Sequence, residues 1–189
     1  MISRLFDAKR SSTERLTHVA LVMLIIAIAT NVGIALTLKA RLDALKPEPA
    51  VAPGTLITEI TGKNAAGEEQ TIQLTGNRPV LLYVSRQGCG WCERNQRNVH
   101  AIGLQASARF RILELSPEGP GPSGSKAVGV TRLSVTEDVL RRIGARGTPY
   151  TVLLSPEGKV LQSWVGAFGA ATGPSVARTL QVELPGLIP

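Results

Sequence analysis

Cys89-Gly90-Trp91-Cys92 is the segment whose residue types and spacing could do covalent chemistry, and it holds both cysteines of the 189-residue chain. It follows an apolar run, Val80–Ser85 (VLLYVS), of the kind found in a strand buried on both faces. It precedes CERNQRNVHAIGL, where Cys92, Val99 and His100 fall near helical spacing before Gly103. A cysteine at a helix N-terminus faces free backbone N–H groups and the positive end of the helix dipole, which stabilise a thiolate. Cys89 is therefore the expected nucleophile, and Arg86, three residues earlier, would add positive charge. Cys92, inside the first turn and more buried, is suited to resolving a mixed disulfide. The competing readings are a structural bridge and half of a metal site. A loop of four residues constrains an unfolded chain very little. His100 lies eight residues beyond Cys92, about 12 Å along a helix, too far to complete a metal site with the pair. No metal site is expected.

The surrounding sequence predicts the elements that position this pair. TLITEI (55–60) and TIQL (71–74), joined by TGKNAAGEE, read as a β-hairpin. FRILEL (110–115) is a further strand, and the Pro- and Gly-rich stretch 116–129 a long loop. SVTEDVLRRIG, with a capping-box spacing Ser134-x-x-Glu137 and Gly144 at its end, reads as a helix. YTVLLS and KVLQSWVG, separated by Pro156-Glu157-Gly158, form a second hairpin, and SVARTLQVEL a last helix. This order implies a central mixed sheet with helices on both faces.

Composition limits what such a domain could be. With 43% hydrophobic and 19% charged residues the chain is not disordered, and its length fits one globular domain plus additional segments. The net charge of +7 is concentrated at the N-terminus: residues 1–46 hold seven Lys/Arg against three Asp/Glu. The other basic residues are dispersed among acids with few aromatics to stack bases, so no nucleic-acid partner is expected. Leu16 to Leu38 is 23 residues without Asp, Glu, Lys or Arg, long enough to cross a hydrocarbon core of roughly 30 Å. Arg4, Lys9, Arg10 and Arg15 precede it and Lys39, Arg41 and Lys46 follow, which favours a cytoplasmic N-terminus. The alternative is a signal peptide cleaved after Ala27-Ile28-Ala29, but the apolar run continues for nine residues beyond that point. Both readings export the C-terminal part. The expected organisation is a cytoplasmic segment 1–15, a transmembrane anchor 16–38, a linker 39–54 with Pro47, Pro49, Pro53 and Gly54, and a domain 55–189.

Strand-CGWC-helix, followed sixty residues later by GARGTPYTVLLSPEGKVLQSWVGAFG, resembles the thioredoxin superfamily, over roughly residues 55–185. The leading hairpin and the enlarged loop before Gly144 resemble its membrane-anchored TlpA/ResA-like branch. The resemblance implies an α/β thioredoxin-like fold, a central mixed β-sheet flanked by helices, with an N-terminal β-hairpin and a single transmembrane helix before it. It implies that Pro149 is a cis-proline packed against the active-site disulfide, the bland alternative being a trans proline that starts a strand. It also implies that Thr148 offers its backbone to an extended substrate segment by β-addition. Trp91 either forms an apolar lip beside Cys89 or packs on the domain.

The sequence departs from the family at two places. The buried acid that thioredoxins carry six residues before the first cysteine is Tyr83 here; Glu93 and Glu114 are the candidate proton acceptors. The Gly-Trp dipeptide between the cysteines is nearest to the Gly-Tyr of some disulfide isomerases, which leaves the direction of electron flow open.

The expected function is a membrane-tethered, periplasmic thiol–disulfide oxidoreductase of the inner membrane that reduces disulfides of exported proteins through the Cys89/Cys92 dithiol. Cys89 and Cys92 are its catalytic residues, Trp91, Thr148 and Pro149 bind substrate, and the redox-active disulfide is its only redox group, without a cofactor. Its partners would be protein disulfides in the cell envelope and a membrane electron donor, since one apolar segment cannot carry electrons across the bilayer. Two alternatives stand beside it: an oxidase or isomerase, and a copper(I)-binding or docking module on the same scaffold.

Overall fold

The computed structural model describes residues 3–45, 51–117, 119 and 128–186. They fall into two compact units, Met1–Pro47 and Glu48–Pro189.

The first unit is one helix, α1 (Ser3–Leu45). Its segment Thr17–Lys39 has a mean hydropathy of 2.6 with none of it buried in protein, and is long and apolar enough to cross a membrane. Three polar side chains inside the span are turned onto its own backbone: Thr30 donates to the Ile26 carbonyl, Asn31 to Ala27 and Thr37 to Gly33. Such internal bonding is what a polar side chain needs where water is absent. The helix runs past the expected end of the anchor. Residues 46–50 of the expected linker lie outside the described residues, and residues 51–54 are not linker at all. Val51 is buried in the second unit's core, and the Gly54 N–H donates to the Val160 carbonyl at 2.8 Å.

The second unit is a seven-stranded mixed sheet in the order β2-β1-β5-β4-β3-β6-β7. Its strands are β1 (Glu59–Lys63), β2 (Glu69–Gln73), β3 (Val80–Val84), β4 (Arg111–Ser116), β5 (Val130–Ser134), β6 (Tyr150–Leu154) and β7 (Val160–Val165). β3, β4 and β5 run parallel, while β6 and β7 extend the sheet antiparallel from β3. Alternate residues of β3 enter opposite cores, as the pleat requires. Val80, Leu82 and Val84 join Val139, Leu140 and Ile143 around α3 (Glu137–Arg142). Leu81 and Tyr83 join the cluster of α2 (Gly90–Ala106) and α4 (Gly173–Leu180), with Val99, Ile102, Val176 and Leu180. The expected mixed sheet with helices on both faces is present.

Several expected boundaries are corrected. β1 begins at Glu59 and takes in Thr61-Gly62-Lys63, which the sequence assigns to a turn. β5 is a strand that the sequence did not reveal, and Ser134 is its last residue instead of a helix cap. Thr136 caps α3, its hydroxyl accepting from the Val139 N–H at 3.5 Å. α2 does not stop at Gly103. A Cβ there would lie 2.4 Å from the Val128 carbonyl oxygen, so this glycine permits close backbone approach inside the helix. α4 ends at Leu180, and Gln181 turns the chain through a left-handed conformation, so that Val182-Glu183-Leu184 lies outside the helix. Residues 118 and 120–127 of the long loop lie outside the described residues.

Candidate active site

Strand β3 leads through a turn at Gly88, whose φ of +67° suits glycine, to Cys89 at the N-cap of α2. The Cys89 carbonyl accepts from the N–H groups of Cys92 (2.9 Å) and Glu93 (3.1 Å), and its Sγ lies 3.1 Å from the Cys92 N–H. One N–H of the first turn, that of Cys92, is thus shared between the Cys89 carbonyl and its sulfur, and a donor at the sulfur favours a thiolate. Cys89 and Cys92 form a disulfide. Cys89 is half-buried whereas Cys92 is 2% exposed, so an incoming sulfur has access to Cys89 Sγ and not to its partner.

Thr148-Pro149 is a cis peptide bond. The Pro149 carbonyl accepts from the Gly166 N–H at 2.8 Å, which joins this turn to the end of β7. No backbone hydrogen bond connects Thr148 to another described residue. Between Trp91 and this turn lies an apolar groove of about 380 Å³, lined by Trp91, Thr148, Pro149, Val165, Ala167 and Ala171 among others. Trp91 is 56% exposed, with the Arg94 guanidinium carbon 5.0 Å from its ring centroid. The structure thus gathers the five expected site residues Cys89, Trp91, Cys92, Thr148 and Pro149 around one end of the sheet.

Arg86, expected to add positive charge beside Cys89, has a carboxylate partner. It pairs with Glu137 at 2.7 Å, a carboxylate at the start of α3 that takes up its charge. Among the described residues no group of three or more His, Cys, Asp or Glu could hold a metal ion. With both sulfurs in a disulfide, neither is a thiolate ligand in this state.

Beneath the N-terminal half of α2 lies a buried polar layer. Tyr83, at the position of the thioredoxin acid, is 4% exposed and receives the Asn95 side-chain N–H at 3.4 Å. Burial raises its phenol well above the usual tyrosine range; the Asn95 bond opposes this and the nearby Glu114 charge adds to it. Tyr83 is therefore a neutral hydroxyl at physiological pH and cannot replace a carboxylate as proton acceptor. Glu114, its neighbour across the β3–β4 register, is a buried carboxylate. Its two oxygens accept from the Ser85 hydroxyl and the Arg132 guanidinium, each at 2.8 Å. Glu93 is exposed.

Asn95 and Asn98, fully buried, went unnoticed in the sequence. Asn95 Oδ1 accepts from the Phe168 N–H (3.1 Å) and the Asn98 side chain (2.9 Å), and Asn98 Oδ1 accepts from the Gly186 N–H (3.0 Å). One helical turn after Cys92, Asn95 thereby ties the cysteine-bearing helix to the loop that walls the groove, while the Phe168 ring meets Tyr83 edge-on at 6.3 Å.

No family model matches the chain, and no curated protein matches it. Solved structures do. The thioredoxin domain of a thiol-disulfide oxidoreductase from Bacteroides vulgatus superposes with a TM-score of 0.52 at 21% identity, covering 69% of this chain and 99% of that one. A thiol:disulfide interchange protein from Bacteroides sp. gives 0.52 at 20%, covering 70% and 92%. The pneumococcal exposed lipoprotein thioredoxin from Streptococcus pneumoniae gives 0.51 at 15%, covering 65% and 98%. The second unit of this chain, with its Cys-Gly-Trp-Cys at the start of α2 facing a cis-Pro149 turn, has the thioredoxin fold.

Proposed function

We propose that this protein is a membrane-tethered, extracytoplasmic thiol–disulfide oxidoreductase that reduces disulfides of exported proteins. One observation carries the reading: an accessible sulfur, Cys89, sits at a helix N-terminus beside an apolar groove, with its bonded partner Cys92 buried directly behind it.

In the reduced state the helix-terminal N–H groups stabilise the Cys89 thiolate, which attacks one sulfur of a substrate disulfide. A mixed disulfide forms at Cys89 and the other substrate sulfur leaves as a thiolate. Cys92 then gives up its proton and attacks Cys89 Sγ. This releases the second substrate thiolate and leaves the Cys89–Cys92 disulfide, so two electrons pass from the dithiol to the substrate. Thr148 and Pro149 line the groove that holds the substrate strand during the exchange. Glu114 is the buried carboxylate assigned to the Cys92 proton, on the strength of its burial next to Tyr83. Thr17–Lys39 supplies the tether, with the N-terminus in the cytoplasm and the second unit on the periplasmic side of the inner membrane. The similarity to a pneumococcal exposed lipoprotein thioredoxin supports that side. Regeneration requires a separate membrane electron donor, and no metal or organic cofactor enters the exchange. The Gly90-Trp91 dipeptide favours a second reading in which the same pair acts as an oxidase or isomerase.

The test is reduction of insulin disulfides by the full-length protein in detergent micelles with dithiothreitol as electron source. The reading predicts a rate that rises in proportion to protein concentration. A rate indistinguishable from dithiothreitol alone would overturn it.

A further inference from the structure

The groove beside Cys89 is apolar, but its lip carries an uncommitted cation. Arg94 lies one turn beyond Trp91 on α2 and rests its guanidinium over the exposed indole at 5.0 Å. Six other arginines of this unit are engaged: Arg86, Arg132 and Arg141 pair with carboxylates, and Arg78, Arg109 and Arg111 donate to carbonyl oxygens. Arg94 forms no hydrogen bond or ion pair with another described residue, Glu93 included. The cation–π contact holds the guanidinium at the indole while its N–H donors have no partner among the described residues, an arrangement suited to a carboxylate. Arg97, exposed one further turn along α2, extends the same charge away from the groove.

We infer that Arg94, held by Trp91, selects substrate segments in which an acidic residue neighbours the reactive cysteine. The inference rests on the oxidoreductase reading and names its substrate class: an extended polypeptide whose apolar or small side chains fill the groove while an Asp or Glu reaches the lip. The free backbone of Thr148 on the opposite side of the groove argues for a polypeptide occupant.

Two peptides with one intramolecular disulfide, identical except for Glu or Lys next to the first cysteine, test this against the reduced full-length protein in uncharged micelles. Each turnover transfers two electrons and two protons from the Cys89/Cys92 dithiol to the peptide. The expected result is reduction of the Glu peptide about tenfold faster than the Lys peptide at low ionic strength, with the ratio shrinking as salt is added. Arg94→Gln should cut that ratio to about twofold or less, and Arg94→Lys should retain part of it. Arg178→Gln removes an equal charge from an exposed position on α4 and should leave the ratio unchanged. Equal rates for the two peptides, or a ratio indifferent to Arg94→Gln, would overturn the inference while the oxidoreductase reading stands. So would a ratio indifferent to Arg94→Gln in a variant that loses binding to phosphatidylglycerol vesicles, which would assign the guanidinium to the membrane surface. Failure to reduce either peptide would remove the parent reading and the inference with it.

Discussion

Cys89→Ser abolishes turnover, and Cys92→Ser abolishes it differently: that is the expected outcome of replacing each sulfur in turn. A serine hydroxyl at position 89 is not ionised at neutral pH and forms no bond to a disulfide sulfur, so insulin reduction should fall at least about 100-fold, to the level that dithiothreitol alone supports. Cys92→Ser keeps the exposed nucleophile and removes the group that resolves the mixed disulfide. It should lose multiple turnover by a similar factor while accumulating a covalent adduct between Cys89 and a substrate cysteine, seen as a dithiothreitol-sensitive mass increase. The asymmetry follows from burial, since Cys92 is 2% exposed and Cys89 half-buried. Adducts forming equally on Cys92 in the Cys89→Ser protein would contradict the assigned order of attack.

The second large effect concerns stability. Glu114 is 1% exposed at its side chain and Arg132 16%, with 2.8 Å between their charged atoms. Removing one member of such a pair leaves the other charge without its counterion in a poorly solvated place, a loss of about 3–5 kcal/mol. Glu114→Ala should therefore lower unfolding free energy by that amount, the largest loss expected for any polar side chain of the second unit. It also leaves the Ser85 hydroxyl without its acceptor. Glu114→Leu combined with Arg132→Leu should cost less than Glu114→Ala alone, because the double change removes both charges. Denaturant unfolding of the full-length protein in micelles, followed through the second unit, reads both. A double variant less stable than the single would show that the charges are not held mainly by each other. The proposed proton-acceptor role has its own readout: Glu114→Gln, which keeps the shape but also removes the charge facing Arg132, should slow release of the mixed disulfide at Cys92 more than its formation at Cys89.

The parts of the site that lie in short local patterns could be read from sequence. The CxxC between an apolar run and a helical stretch, and the Gly-Thr-Pro that opens a hairpin, each need only neighbouring residues to be understood. The parts made by distant contacts could not. β5 has one fully buried side chain, Leu133, in a polar VTRLS segment; its strand identity comes from β4 along its length and from β1 at Ser134. Asn95 and Asn98 look like a solvated helix face because the groups that bury and bond them, Phe168 and Gly186, lie 73 and 88 positions away. Val51 sits between Pro49 and Pro53, which read as a tether, yet its side chain enters the core. The partner of Arg86 is equally illegible, because Glu137 lies 51 positions on. A buried carboxylate is present not at position 83 of β3 but at Glu114 of β4, the register partner of Tyr83, and only the pairing of the two strands brings it there.

The most direct test of the account is the reduction potential of the Cys89/Cys92 couple, obtained by equilibrating the full-length protein in micelles with dithiothreitol or glutathione buffers and quantifying free thiols by alkylation and mass spectrometry. A reductant of exported proteins requires a couple near about −270 mV or below, and that is the predicted value. A couple between roughly −180 and −120 mV would make the pair an electron acceptor, place the protein with isomerases and oxidases, and contradict the reducing direction proposed for it.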